Sequence, residues 1–148
     1  MLHHTGHDVR RTAAACGEAP ARVRRTCYAS LGRDISAIAG PRLPEAVRLC
    51  GFSGPEFEPA CHEGVVASLI NMNAEASEGL PYCLAVESAA GKSACYETVG
   101  RFAFVGEGET RRAQLCSAVE ADYVEACLGS RAPTAGAAGA GGTPGARR

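Results

Sequence analysis

Cys50-Gly-Phe-Ser-Gly-Pro-Glu-Phe-Glu-Pro-Ala-Cys61 sets two cysteines ten residues apart around a Ser-Gly-Pro turn. The same frame recurs at Cys16/Cys27 and Cys116/Cys127, and with one extra residue at Cys83/Cys95. All eight cysteines of the 148-residue chain are used in this way. The first cysteines stand at 16, 50, 83 and 116, a period of 33–34 residues. A fixed period of that length marks an array of helical hairpins, each too thin to bury its own apolar face.

The register extends beyond cysteine. Thr26, Ala60, Ala94 and Ala126 precede the second cysteines, and Tyr28, His62 and Tyr96 follow three of them. Gly32-Arg33 and Gly100-Arg101 share one offset. After each second cysteine an amphipathic stripe predicts a long helix: Tyr28, Leu31, Ile35 and Ile38 in the first unit. Val65, Val66, Leu69, Ile70 and Met72 follow in the second, and Tyr96, Val99, Phe102 and Ala103 in the third. Steps of three and four residues put such sets on one helical face. Gly40-Pro41 and Glu78-Gly79 are the expected stops. Gly32, Gly64 and Gly100 lie inside these helices, where Gly costs about 1 kcal/mol against Ala, so each predicts a close neighbouring helix.

Shorter helices should carry the first cysteines. Asp8 is a candidate N-cap, Pro44 suits the first helical turn, and Thr110 is a candidate cap for Arg111–Cys116. Gly79 and Pro81 interrupt the third unit, so its short helix should start late, near Pro81, and run past Cys83. Val23, Phe57 and Tyr123 lie four residues before their cysteines and should share a face with the sulfur. Gly91 breaks that pattern in the third unit. The expected fold is therefore all-α: about 3.5 hairpin units over residues 1–129, a short solenoid or bundle. The Ala/Gly/Pro-rich stretch 130–148 has almost nothing to bury and is expected to be a disordered tail.

Function is less legible. The net charge of −1 gives no basic excess for nucleic acid or an anionic membrane. Fourteen Arg against a single Lys92, amid much Ala and Gly, read as GC-rich coding. No apolar run is long enough for a transmembrane helix. Eight cysteines in matched pairs favour disulfides and an oxidising compartment, yet the first residues lack a secretory pattern. The expectation is a periplasmic or secreted protein whose true N-terminus is missing. Pairing within units (16–27, 50–61, 83–95, 116–127) is the favoured arrangement, each short loop worth somewhat under about 3 kcal/mol. Pairing between adjacent units (27–50, 61–83) and other arrangements stay open.

No C-x-x-C stands in the chain, so neither a zinc site nor a redox thiol is indicated. His3, His4 and His7 beside Asp8 are the one histidine cluster. A Cys61–His62 catalytic pair is disfavoured, since helix neighbours do not face each other; His62 should instead fill the place of Tyr28 and Tyr96. Glu56, Glu58, Glu107, Glu109, Glu120 and Asp122 read as solvated surface, and Arg22/Arg24/Arg25 and Arg111-Arg112 as basic groups offset by nearby acids. Gly106-Glu-Gly108 is too short to be a phosphate loop, and Gly91-Lys-Ser93 has the tail of a P-loop motif without its earlier Gly. No catalytic residue and no cofactor is assigned.

Cys-Tyr-x-x-Leu-Gly-Arg (27–33), Cys-His-x-Gly-Val-Val (61–66) and Cys-Tyr-x-x-Val-Gly-Arg (95–101) make residues 4–128 resemble bacterial cysteine-paired α-helical repeat proteins. A looser likeness is to disulfide-stapled Sel1-type repeats, α/α solenoids that bind proteins. The resemblance implies architecture and no activity. Three functional readings follow. The first is a non-enzymatic scaffold for a protein partner. The alternative is a thiol/histidine protein associated with metal or haem. The third is an enzyme with a site in a concave face.

Overall fold

The structure, a computed structural model, describes residues 8–129. They form eight α-helices: α1 (Val9–Glu18), α2 (Ala21–Ala39), α3 (Leu43–Cys50), α4 (Gly54–Asn73), α5 (Leu80–Ala85), α6 (Ala89–Glu107), α7 (Glu109–Cys116) and α8 (Val124–Leu128). Short 3-10 turns lie at Gly51–Ser53, Ala76–Gly79 and Ala121–Tyr123. Successive helices are joined by few residues and therefore fold back on each other. Each of α1, α3 and α5 makes a hairpin with the long helix after it, and α7 makes one with the five-residue α8.

One disulfide closes each hairpin: Cys16–Cys27, Cys50–Cys61, Cys83–Cys95 and Cys116–Cys127. Their Cα atoms lie 5.5–5.6 Å apart, the usual spacing of an accommodated disulfide. The second cysteines sit within the long helices, because α2, α4 and α6 begin six or seven residues before them. No described disulfide joins one hairpin to another. The tail 130–148 and the cluster His3, His4 and His7 lie outside the described residues.

Local signals explain most boundaries. The Asp8 carboxylate accepts from the Arg11 N–H at 3.0 Å and caps α1. Gly40, at φ 56°, ends α2, and α5 starts at Leu80, with Pro81 in its first turn, and passes Cys83. Two expectations need correction. Thr110 caps nothing: α7 starts one residue earlier, after Gly108 at φ 85°. Nor does α4 reach Glu78-Gly79. It stops at Asn73, where Ala74 turns left-handed at φ 55°, and Gly79 belongs to the following 3-10 turn.

The core lies between hairpins. Leu31, Ile35, Val65, Val66, Tyr82, Tyr96 and Val99 are buried there. Two kinds of seam alternate along the array. Between α2 and α4 the backbones touch: a Cβ on Gly32 would lie 2.0 Å from the Cys61 carbonyl oxygen, and one on Gly64 2.0 Å from that of Ala29. Between α6 and α8, a Cβ on Gly100 would lie 1.7 Å from the Cys127 carbonyl oxygen. The middle seam, α4 against α6, is different. Val66 occupies the offset of Gly32 and Gly100, so side chains hold these helices apart. The turn Ala76–Gly79 fills the gap, with Gly79 against Val66, Val99 and Ile70. Glu75 anchors this wedge, accepting from the Ser77 N–H at 3.2 Å and from Arg111 of α7 at 2.8 Å.

Candidate functional site: a buried histidine at the middle seam

In the first three hairpins the residue after the second cysteine meets the next hairpin. Tyr28 stacks on Phe57, ring centroids 4.7 Å apart, and donates its hydroxyl proton to the Ala13 carbonyl at 3.0 Å. Tyr96 lies against Tyr123 and donates to Glu120 at 2.8 Å. Lys92 meets the same carboxylate at 2.6 Å. At the middle seam the equivalent residue is His62, and it is fully buried.

Its two ring nitrogens are both engaged. Nδ1 lies 2.6 Å from the Tyr82 hydroxyl oxygen, and Nε2 lies 3.2 Å from a Glu58 oxygen. A carboxylate only accepts, so Nε2 carries the proton and Tyr82 donates to Nδ1. The Tyr82 oxygen also stands 3.9 Å from Cys50 Sγ, a weak second acceptor. Gly91 of α6 closes the far side, since a Cβ there would lie 2.6 Å from the imidazole Cδ2. The result is a chain from partly exposed Glu58 inward through His62 to Tyr82, ending at the Cys50–Cys61 disulfide.

Burial sets the electrostatics. It pushes the His62 pKa below that of a free imidazole, against the opposing pull of Glu58. Burial, reinforced by the Glu58 charge, raises Tyr82 well above an ordinary phenol. Both groups are therefore neutral at neutral pH. The chain can hold or move a proton along its hydrogen bonds. It offers no nucleophile, because both neighbouring sulfurs are in a disulfide. It also lines none of three surface grooves, of about 510, 350 and 410 Å³, found at the α2 face, between α4 and α6, and between α1 and α3.

His62 does fill the place of Tyr28 and Tyr96. Among the described residues no three His, Cys, Asp or Glu side chains come together to hold a metal, and all eight cysteines are in disulfides. The thiol part of the metal reading therefore has no thiolate to use. Arg111 pairs with Glu75 and Glu107, and Arg112 with Glu109, so this basic pair is offset. Two acids read as plain surface take other parts: Glu58 holds His62, and Glu120 joins Lys92 to Tyr96. The four-residue step from Glu58 to His62 is a readable helix-face signal. Tyr82 carries no such signal, as it stands twenty residues from His62 in another hairpin.

Some apolar residues near the helix ends are not buried, Ile38 and Met72 from the expected stripes and Phe104 and Val105 from outside them. Ile38, Met72, Phe104 and Val105, in the last turns of α2, α4 and α6, are 38%, 64%, 47% and 77% exposed. Ile70, Phe102 and Val105 also line the groove between the ends of α4 and α6. Among the described residues no helix is long and apolar enough to cross a membrane. No protein-family model, curated protein or solved structure matches this chain.

Proposed function

We propose that this chain is an exported, disulfide-stapled helical repeat scaffold that binds another protein through the C-terminal ends of its long helices. The observation that carries the reading is the row Ile38, Met72, Phe104 and Val105. Each of three successive hairpins leaves a large apolar side chain exposed in the last turn of its long helix. A partner with an amphipathic helix fits there, its apolar side chains entering the α4–α6 groove. Four disulfides support an oxidising compartment, and stacked hairpins supply the extended surfaces that repeat proteins use.

The test is site-specific photo-crosslinking in the producing cell, with the photoreactive residue at Met72 or Val105 and, as controls, at exposed Arg22 or Glu97. One protein joined from both row positions and from neither control supports the reading, provided that Met72→Asp with Val105→Asp abolishes its binding in purified form. Uncrosslinked chain at the row positions, or equal crosslinking at the controls, overturns it.

A further inference from the structure

We propose that His62 makes the seam between the second and third hairpins an acid-opened joint, while the other two seams stay closed. Only non-covalent contacts and the chain itself cross this seam, because Cys50–Cys61 lies on one side and Cys83–Cys95 on the other. It lacks the glycine-to-carbonyl backbone contact of its two neighbours and is held by side chains and the Gly79 wedge. Its one buried imidazole has Nδ1 committed as acceptor of the Tyr82 proton at 2.6 Å.

Protonation puts a donor on each side of that hydrogen bond. Tyr82 must then turn its proton to Cys50 Sγ at 3.9 Å, a long and weak bond, or leave with α5. The groups facing the imidazole are few: Tyr82 on α5, the disulfide joining α3 to α4, Gly91 on α6, and Glu58 on its own helix. Glu58 alone is charged. It favours the imidazolium, but burial outweighs it and holds the His62 pKa below the ordinary value. Acid therefore charges His62 more readily once the seam has opened than while it is closed. Tyrosines, whose side chains have no basic nitrogen to protonate, occupy the equivalent place at the other seams. Opening frees α5 and the wedge and uncovers Tyr82, Val66 and Val99, while each hairpin keeps its disulfide.

The experiment is hydrogen–deuterium exchange of the full, oxidised chain at about pH 7.5 and pH 5, corrected for intrinsic exchange, with the His62 ring titration followed by NMR. Amides of α5 and of residues 76–79 should lose protection at least about tenfold more than those of α2 at the acid pH. His62→Gln, which cannot take up the proton, should remove that difference. Equal loss in α2 and α5, or an unshifted imidazole titration with α5 still protected, overturns the proposal. If His62→Gln does not fold, the wild-type comparison of α5 with α2 decides alone.

Discussion

Gly32 and Gly106 place the same substitution in opposite surroundings at two helical positions. Replacing Gly by Ala inside a helix gains up to about 1 kcal/mol from chain entropy. At Gly106, in the last turn of α6, an added methyl meets nothing within 4 Å, so Gly106→Ala should raise the urea midpoint. At Gly32 the methyl would lie 2.0 Å from a backbone oxygen of the next hairpin, and backbone cannot rotate away. Gly32→Ala should cost about 1–3 kcal/mol net, read as a lower urea midpoint. His62, the one histidine among the described residues, gives a pH prediction. Its pKa is lowered on folding, so below about pH 6.5 the unfolded chain binds more protons than the folded one. Stability should fall as pH falls from there toward the folded pKa, with a slope of up to about 1.4 kcal/mol per pH unit. His62→Gln should flatten urea-derived stability over that interval. At this scale the sequence showed that His62 takes a tyrosine's place. It did not show Tyr82, because a contact across a seam leaves no spacing signal within one helix.

Among the elements, the 3-10 turn Ala76–Gly79 has a part that periodicity does not describe. Elsewhere a long helix runs close to its neighbour; here the turn that follows α4 wedges between α4 and α6. A Cβ on Gly79 would lie 2.6 Å from Val66 Cγ2 and 2.8 Å from Val99 Cγ2. Gly79→Ala should therefore cost about 1–3 kcal/mol through overpacking. Val66→Ala alone leaves a void and should also destabilise. Combined, the two should cost less than their sum by about 0.5 kcal/mol or more, a coupling measurable in a denaturation double-mutant cycle. Strict additivity would mean that the wedge does not press on Val66. The third unit's departure was readable from Gly79 and Pro81, and its late helix from Pro81. That the departure fills a gap was not, since the gap exists only because Val66 replaces a glycine at a seam. The stripes were likewise read too far: Ile38 and Met72 continue the helical period but stand exposed in the last turns of α2 and α4.

For the whole molecule, the four staples close loops of nearly equal length and each constrains only its own hairpin. Peptide mapping of the oxidised protein should find 16–27, 50–61, 83–95 and 116–127 and no linkage between units. Removing Cys116–Cys127 with paired Ala substitutions should cost about 3 kcal/mol in the loop-closure account, and exchange protection should fall in α7 and α8 first, because they form the end of the described array. Removing Cys50–Cys61 closes the same loop length but lies between two neighbours, so protection should fall on both sides. Each of these features traces to one of two sources. The 33–34-residue period, the helical hairpins and most caps are local, set by residues close to one another along the chain, and the sequence alone determined them; the cysteine pairing within units, which the sequence favoured without excluding others, was decided in the folded hairpins. The alternation of backbone-touching and side-chain seams, the wedge, the partners of His62 and the uncovered apolar row were decided only in the tertiary structure. Each depends on which side chains of one hairpin meet the next, and at that distance along the chain repeat periodicity specifies the neighbour but not the fit.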